Sequence, residues 1–321
     1  MNHLPLIASL LLAALGACGS AAKPGAGAAA IAPAASRVPN AAQTLFDSPQ
    51  AAVDALAAAA RSQDRAALQR IFGPDHAKLG TGDAAEDDRN LQRFSAALAQ
   101  QTEIVDVGDG TKALCVGRDG WTFPVPLVAH GTRWFFDTDA GVAEMRLRRV
   151  GANELATIDV LEALVEAELA YAREDRDADG VLEFAMRLSS TPGTHDGLSW
   201  MPAESATDEP MGPVGPALGG AWIDVAGADA RPYNGYFYRM LTRQGPGAPG
   251  GARDYVENGN MVGGFAFVAY PARYAETGVM TFMVGADGTV YEFDLGAQTA
   301  ARARAIVSFD PSGWNRTETS P

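Results

Sequence analysis

The sequence predicts an α+β protein in two folded regions behind an export leader. Three observations lead there. Helix-start signals followed by short strands and Gly-containing turns occupy residues 44–148. One apolar stripe at three- and four-residue steps then runs from Ala152 to Tyr171. Strand-like segments closed by Gly and Asp turns fill most of the rest, to residue 316.

The leader comes first. Leu4 to Leu15 is an apolar run interrupted only by Pro5 and Ser9. It is shorter than the roughly 20 residues of a permanent membrane span and has the length of a signal-peptide core. It ends in Leu15-Gly16-Ala17-Cys18, which resembles the bacterial lipobox. In that motif small residues let a peptidase approach the backbone, and the cysteine thiol receives a diacylglycerol. The resemblance implies a signal peptide at 1–17, and Cys18 as the lipidated first residue of the mature chain. The stretch before the core holds no Lys or Arg, which departs from the usual pattern. An ordinary cleaved signal with an incidental cysteine is the plainer alternative. Residues 18–43 read as an Ala/Gly/Pro tether, too poor in large apolar groups to offset its ordering entropy. Gly19, in place of an aspartate after the cysteine, favours the outer membrane, with the head on the periplasmic face.

In the first region Ser48 is an N-cap with Pro49 at the first helical position, ahead of Val53 and Leu56. Asp64 caps a second helix carrying Leu68, Ile71 and Phe72. A third, with Phe94, Ala97 and Leu98, is expected after the acidic stretch Asp83 to Asp88. Strands follow at Ile104–Val107, Thr111–Val116, Trp121–Val128 and Thr132–Asp137. They are separated by turns whose glycines accept positive φ. Pro124 and Pro126 remove donors and predict an edge strand. Cys115, within Ala113-Leu114-Cys115-Val116, is expected in the core rather than as a nucleophile. A Cys18–Cys115 disulfide is the alternative if lipidation fails. Helices followed by a meander resemble small cystatin-like or nuclear-transport-factor-like domains.

The second region, 149–316, opens with the helix from Ala152. Its expected inner stripe is Leu155, Ile158, Leu161, Leu164, Val165 and Leu169, and its solvated side is Glu154, Asp159, Glu162, Glu166 and Glu168. A partner-binding acidic face is the functional reading of that side. Strands are expected at Tyr236–Thr242, Gly264–Tyr270, Val279–Val284 and Thr289–Asp294, with a tail at 317–321.

Composition excludes some functions. The chain carries 25 Lys+Arg against 39 Asp+Glu, a formal charge of −14, which argues against nucleic acid as a partner. Gly245-Pro246-Gly247-Ala248-Pro249-Gly250 matches a dinucleotide fingerprint in letters only. Pro249 removes an amide, the following glycines disfavour a helix, and no Lys is near, so no nucleotide is expected.

Several runs occur in a recognisable order: Gly120-Trp121-Thr122-Phe123-Pro124, Gly151-Ala152-Asn153-Glu154-Leu155, Asp175-Arg176-Asp177-Ala178-Asp179-Gly180, Tyr233-Asn234-Gly235-Tyr236, Arg253-Asp254-Tyr255 and Gly278-Val279-Met280. Together they resemble the bacterial domain of unknown function 2950 family over about residues 45 to 315. That resemblance implies a compartment, not a mechanism. The helix, Gly-Tyr strand and closing hairpin also resemble the globular head of type IV pilins and pseudopilins. The hydrophobic N-terminal extension of a pilin helix is missing.

The best ligand candidate is Asp175, Asp177 and Asp179 with Gly180 at position six and Glu183 at position nine. These positions open a calcium loop. Position twelve is Met186, so the bidentate glutamate is absent. A solvated acidic turn is the plainer alternative. His195, Asp196 and Ser199 have the residue types of a triad but no nucleophile elbow, and no histidine pair has zinc-ligand spacing. The expectation is a non-enzymatic, lipid-anchored envelope protein that binds or assembles with an envelope partner. A periplasmic hydrolase or carbohydrate-active enzyme, and a calcium-stabilised pilus-associated or adhesive module, are the alternatives.

Overall fold

The computed structural model describes residues 37–40, 42–176, 179–188, 190–191, 193–200 and 232–317. The expected signal peptide, Cys18, most of the tether, Asp177 and most of the tail lie outside the described residues. The chain divides into two compact units between Arg148 and Arg149.

In the first unit, α1 (Pro49–Ser62) begins where Ser48 Oγ accepts the Ala51 amide at 3.1 Å. Its C-cap Gln63 takes a left-handed conformation, φ 52°. Asp64 caps α2 (Arg65–Phe72) through the Ala67 amide. The third helix, α3 (Ala84–Gln100), starts earlier than expected. Asp83 Oδ1 accepts the Ala85 and Glu86 amides, so the acidic run forms the first turn, where negative charge suits the helix N-terminus.

Five strands follow: β1 (Thr102–Gly108), β2 (Thr111–Val116), β3 (Trp121–Thr122), β4 (Leu127–His130) and β5 (Arg133–Phe136). The antiparallel order is β1-β2-β4-β5, with β3 also on β2. The expected strand Trp121–Val128 is therefore split: β4 lies between β2 and β5, whereas β3 pairs with β2 alone. Its two ends pair with β2, and the interruption falls where Pro124 and Pro126 lack amide donors. Leu56, Leu114, Leu127 and Phe136 fill the core, with the Phe72 and Phe136 ring centroids 5.4 Å apart.

Helix α4 spans Thr138–Tyr171 and starts well before the expected Ala152. Asp137 initiates it, its Oδ1 accepting the Ala140 amide at 3.0 Å. Gly141 and Gly151, poor helix formers, obscured that start in the sequence.

In the second unit the strands are β6 (Tyr236–Leu241), β7 (Arg243–Gln244), β8 (Arg253–Asp254), β9 (Val256–Glu257), β10 (Asn260–Met261), β11 (Ala266–Pro271), β12 (Thr281–Gly285), β13 (Val290–Phe293) and β14 (Asn315–Arg316). The main sheet runs β14-β13-β12-β11-β6, every neighbour antiparallel. Its four longer strands occupy the expected segments. The pairs β7–β8 and β9–β10 are new, because two-residue strands carry no readable periodicity. Every residue of β11 and β12 is buried, as in a sheet covered on both faces. Leu161, Leu164 and Val165 of α4 share a core with Tyr236, Tyr238, Phe267 and Phe282. Tyr270 packs instead with Leu295 and with Ala303 of α5 (Thr299–Arg304).

The expected stripe on α4 needs correction. Leu155 is 54% and Leu169 45% exposed, while Glu168 is fully buried and Glu154 partly so. The packed face is rotated to Thr157, Val160, Leu161, Leu164, Glu168 and Tyr171. Polar side chains take inner positions because the backbone they meet lacks partners.

Gly141→Ala tests the tight start of α4. A helical Gly→Ala exchange alone gains about 1 kcal/mol. Here the new Cβ would sit 3.0 Å from Val125 Cβ and 3.1 Å from its Cα. Overpacking of that kind costs about 1–3 kcal/mol. Net destabilisation is expected in urea unfolding; a stabilised variant would show that Val125 yields freely.

Candidate functional site

Three of the sequence runs meet along the inner face of α4. Asn153 Nδ2 donates to the Thr277 carbonyl at 2.8 Å. Glu154 Oε1 accepts both the Val279 amide, 2.7 Å, and the Met280 amide, 3.0 Å. Tyr236 Oη donates to the Met280 carbonyl at 2.9 Å. Tyr238 Oη donates to Thr157 Oγ1, which donates to the Asn153 carbonyl. Thus helix side chains serve the backbone leading into β12. Gly235 and Gly278 are required by closeness. A Cβ on Gly278 would overlap the Tyr236 ring, and one on Gly235 would lie 2.7 Å from Asn153 Nδ2. Burial, reinforced by the Glu154 charge, pushes the Tyr236 phenol far above its usual pKa.

A second set of runs closes around Gln244. Its Nε2 donates to the Pro249 and Gly251 carbonyls, and its Oε1 accepts from Tyr255 Oη at 3.0 Å. Burial pushes the Tyr255 phenol up to about 12. The Gly247 amide donates to Asp310 Oδ2 at 3.2 Å, and a methyl on Gly247 would collide with Ser312. The glycines of the nucleotide-like run thus admit residues 310–312.

The family described as protein of unknown function (DUF2950) matches residues 43–317. The chain belongs to the DUF2950 family. No curated protein and no solved structure matches the chain. The cystatin-like, transport-factor-like and pilin-head resemblances therefore rest on no match, and the coarse α+β architecture is what stands.

In this DUF2950 chain the expected calcium-loop residues are engaged as follows. Asp175 Oδ2 accepts the Gly180 amide at 2.9 Å, and Gly180 has φ +90°. Asp179 Oδ1 accepts the Val181 amide at 2.8 Å, and its Oδ2 accepts from Asn260 Nδ2 at 2.6 Å. Glu183 Oε2 accepts the Met261 amide at 2.8 Å, beside the Phe184–Met261 bridge. These contacts dock the segment on β9–β10. Asp177 lies outside the described residues. Among the described residues no group of three or more His, Cys, Asp or Glu could hold a metal ion.

Sequence reasoning missed the cluster at the end of α4. Glu168 is fully buried; Oε2 accepts the Ala185 amide at 2.9 Å, and Oε1 has no hydrogen-bond partner among the described residues. Loss of hydration pushes its pKa well above the ordinary carboxylate range. Tyr171 Oη donates to the His195 carbonyl at 2.7 Å. Burial, then the Glu183 charge, pushes that phenol up to about 12. The Arg176 guanidinium lies over both the Tyr171 and Trp200 rings, at 5.1 and 5.3 Å. A lone Glu on a helix looks solvated in sequence; only the rotation of α4 revealed otherwise.

Among the described residues, His195, Asp196 and Ser199 form no relay with one another. Asp196 accepts from the Thr191 amide and hydroxyl and from the Thr194 hydroxyl, and lies 3.4 Å from Arg187. Burial opposes its charge, but these donors outweigh burial and lower its pKa. The His195 ring packs on Trp200 at 4.6 Å. In the first unit, a cleft lined by Gln43, Phe72, Asp137 and Thr138 has about 20 Å³, room for a single water.

The outward face of α4 carries Leu155, Asp159, Glu162, Glu166 and Leu169, all exposed. None of the three carboxylates has an ion pair among the described residues. No described helix is long and apolar enough to cross a membrane.

Glu154→Ala strands two amides, each worth about 1–3 kcal/mol when left without a partner. Its unfolding free energy in urea should fall by about 2–6 kcal/mol, with Glu154→Gln, which keeps an acceptor, losing far less. Equal losses in both variants would mean that the carboxylate charge, not the acceptor, matters.

Proposed function

We propose that the mature chain is a lipid-anchored bacterial envelope protein that acts by binding, with the outward face of α4 as its docking surface. One observation carries the binding half. Leu155, Asp159, Glu162, Glu166 and Leu169 follow one another at alternating four- and three-residue steps and are all exposed. That spacing is the seam a second helix reads. Like charges at these steps destabilise a helix by a few tenths of a kcal/mol each, so an uncompensated row favours a basic partner. The occupant is a helix presenting Arg or Lys between two apolar anchors. A second copy of the same face is disfavoured by its charge.

The anchoring half rests on Leu15-Gly16-Ala17-Cys18 and on a tether reaching the first described residues near Arg37. A periplasmic hydrolase is the rival reading. The use of Asp196 to organise its own loop supports binding over hydrolysis. Calcium on Asp175, Asp177, Asp179 and Glu183 remains a proposal for the neighbouring loop.

A clickable palmitate analogue should label the wild type in cells and not Cys18→Ser; an unlabelled wild type removes the anchor. A photo-crosslinker at position 162 should give one discrete adduct. That adduct should be lost when Glu166→Lys reverses a charge in the row or when Leu169→Glu removes an anchor. No adduct from position 162 counts against the docking face. For calcium, chelator should lower the melting temperature in the wild type and not in Asp179→Asn. An unchanged wild-type melt leaves the amide contacts as the whole account of the loop.

A further inference from the structure

We propose that Glu168 is a proton-operated latch: its neutral carboxyl holds residues 179–188 against the end of α4, and its ionisation releases them. The geometry carries this. Glu168 is fully buried, and one oxygen holds the Ala185 amide at 2.9 Å while the other has no partner among the described residues. A carboxylate in that setting lacks the two or three donors or the counter-charge that make a buried charge tolerable. The carboxyl is therefore neutral when docked. It also sits where a single contact governs a whole segment. Ala185 is flanked by Glu183 and Phe184, bound to Met261, and by Arg187 and Leu188, bound to Leu198 and Ser199.

Among the described residues, the charged and titratable groups around the latch do not neutralise it. On α4 itself the neighbour is Tyr171, whose phenol is bound to the His195 carbonyl. Glu183 comes from the docked segment, Arg176 from the turn after α4, and His195 and Asp196 from the 193–200 stretch. Arg176 stacks on Tyr171 and Trp200 and pairs with Glu174, and Asp196 is taken up by Thr191, Thr194 and Arg187. Burial, opposed by the Ala185 amide, sets the direction in which the Glu168 proton is held.

The sign follows from proton linkage. A released Glu168 titrates in the ordinary carboxylate range; a docked one keeps its proton to higher pH. Between those two values the released form binds fewer protons, so release becomes more favourable as pH rises. Below the ordinary range the docked state is at its most stable, and above the raised pKa the effect levels off. Within the window the released-to-docked ratio climbs about tenfold per pH unit.

The test uses trypsin on the full mature chain, reading cleavage after Arg187 by mass spectrometry. That bond sits between two residues whose carbonyls accept from Leu198 and Ser199, so it is cut only from the released state. Dividing the wild-type rate by that of Glu168→Gln at each pH cancels the pH response of the protease, and Gln keeps an acceptor for Ala185. The ratio should climb about tenfold per pH unit across part of the range from about pH 5 to 9. A flat ratio overturns the latch. Tyr171→Phe should keep the wild-type slope; loss of the slope there assigns the effect to the phenol and also overturns it. Should Glu168→Gln fail to fold, the wild-type carboxyl carbon of Glu168 read by ¹³C NMR decides. A midpoint well above the ordinary carboxylate range supports the latch, and an ordinary midpoint refutes it.

Discussion

The second unit depends on one constraint: backbone running beside α4 has amides and carbonyls that the sheet does not pair, and the helix must satisfy them. Asn153 and Glu154 serve residues 277–280, and Glu168 serves Ala185. Thr157 anchors Tyr238 from β6. Between these polar positions Leu161, Leu164 and Val165 bury apolar surface against the sheet. A buried amide without an acceptor costs more than a typical hydrogen bond contributes, so each polar position is as restrictive as a core leucine. The glycines at 235 and 278 are the complement, since a side chain at either would hold the backbone away from its acceptors.

That constraint also explains why the family-bearing runs lie far apart in the chain yet meet in space. Asn153 and Thr277 are separated by 124 residues, so the pairing has no local signature. The runs are consequently readable as a resemblance before they are readable as chemistry. Local features were legible for the opposite reason. Ser48 and Asp64 cap helices through amides three residues away, and the Asp-Gly and His-Gly turns need only their own φ angles. The start of α4 was hidden because two glycines interrupt its pattern and its cap, Asp137, reads as the end of a strand.

The rotation of α4 decided what the sequence left open. With Leu155 and Leu169 counted as inner residues, Glu168 falls on the solvated side. The packing that is observed reverses both assignments. One rotation thus produces two features of opposite character: an outward row of leucines and carboxylates, and an inward carboxyl without a counter-charge among the described residues. The acidic loop after α4 was found by its spacing. Its described members proved to be acceptors for Gly180, Val181, Asn260 and Met261, contacts that spacing alone does not reveal.

If helix side chains complete the backbone around α4, the Ala185, Val279 and Met280 amides are as shielded as those inside a sheet. Residue-resolved amide hydrogen exchange on the wild-type chain measures this directly. These three amides should exchange on the slow scale of Phe267 and Val284 in β11 and β12. Exchange at the rate of the exposed Ala286 and Asp287 amides would contradict this, since the bonds from Glu154 and Glu168 would then not hold in solution.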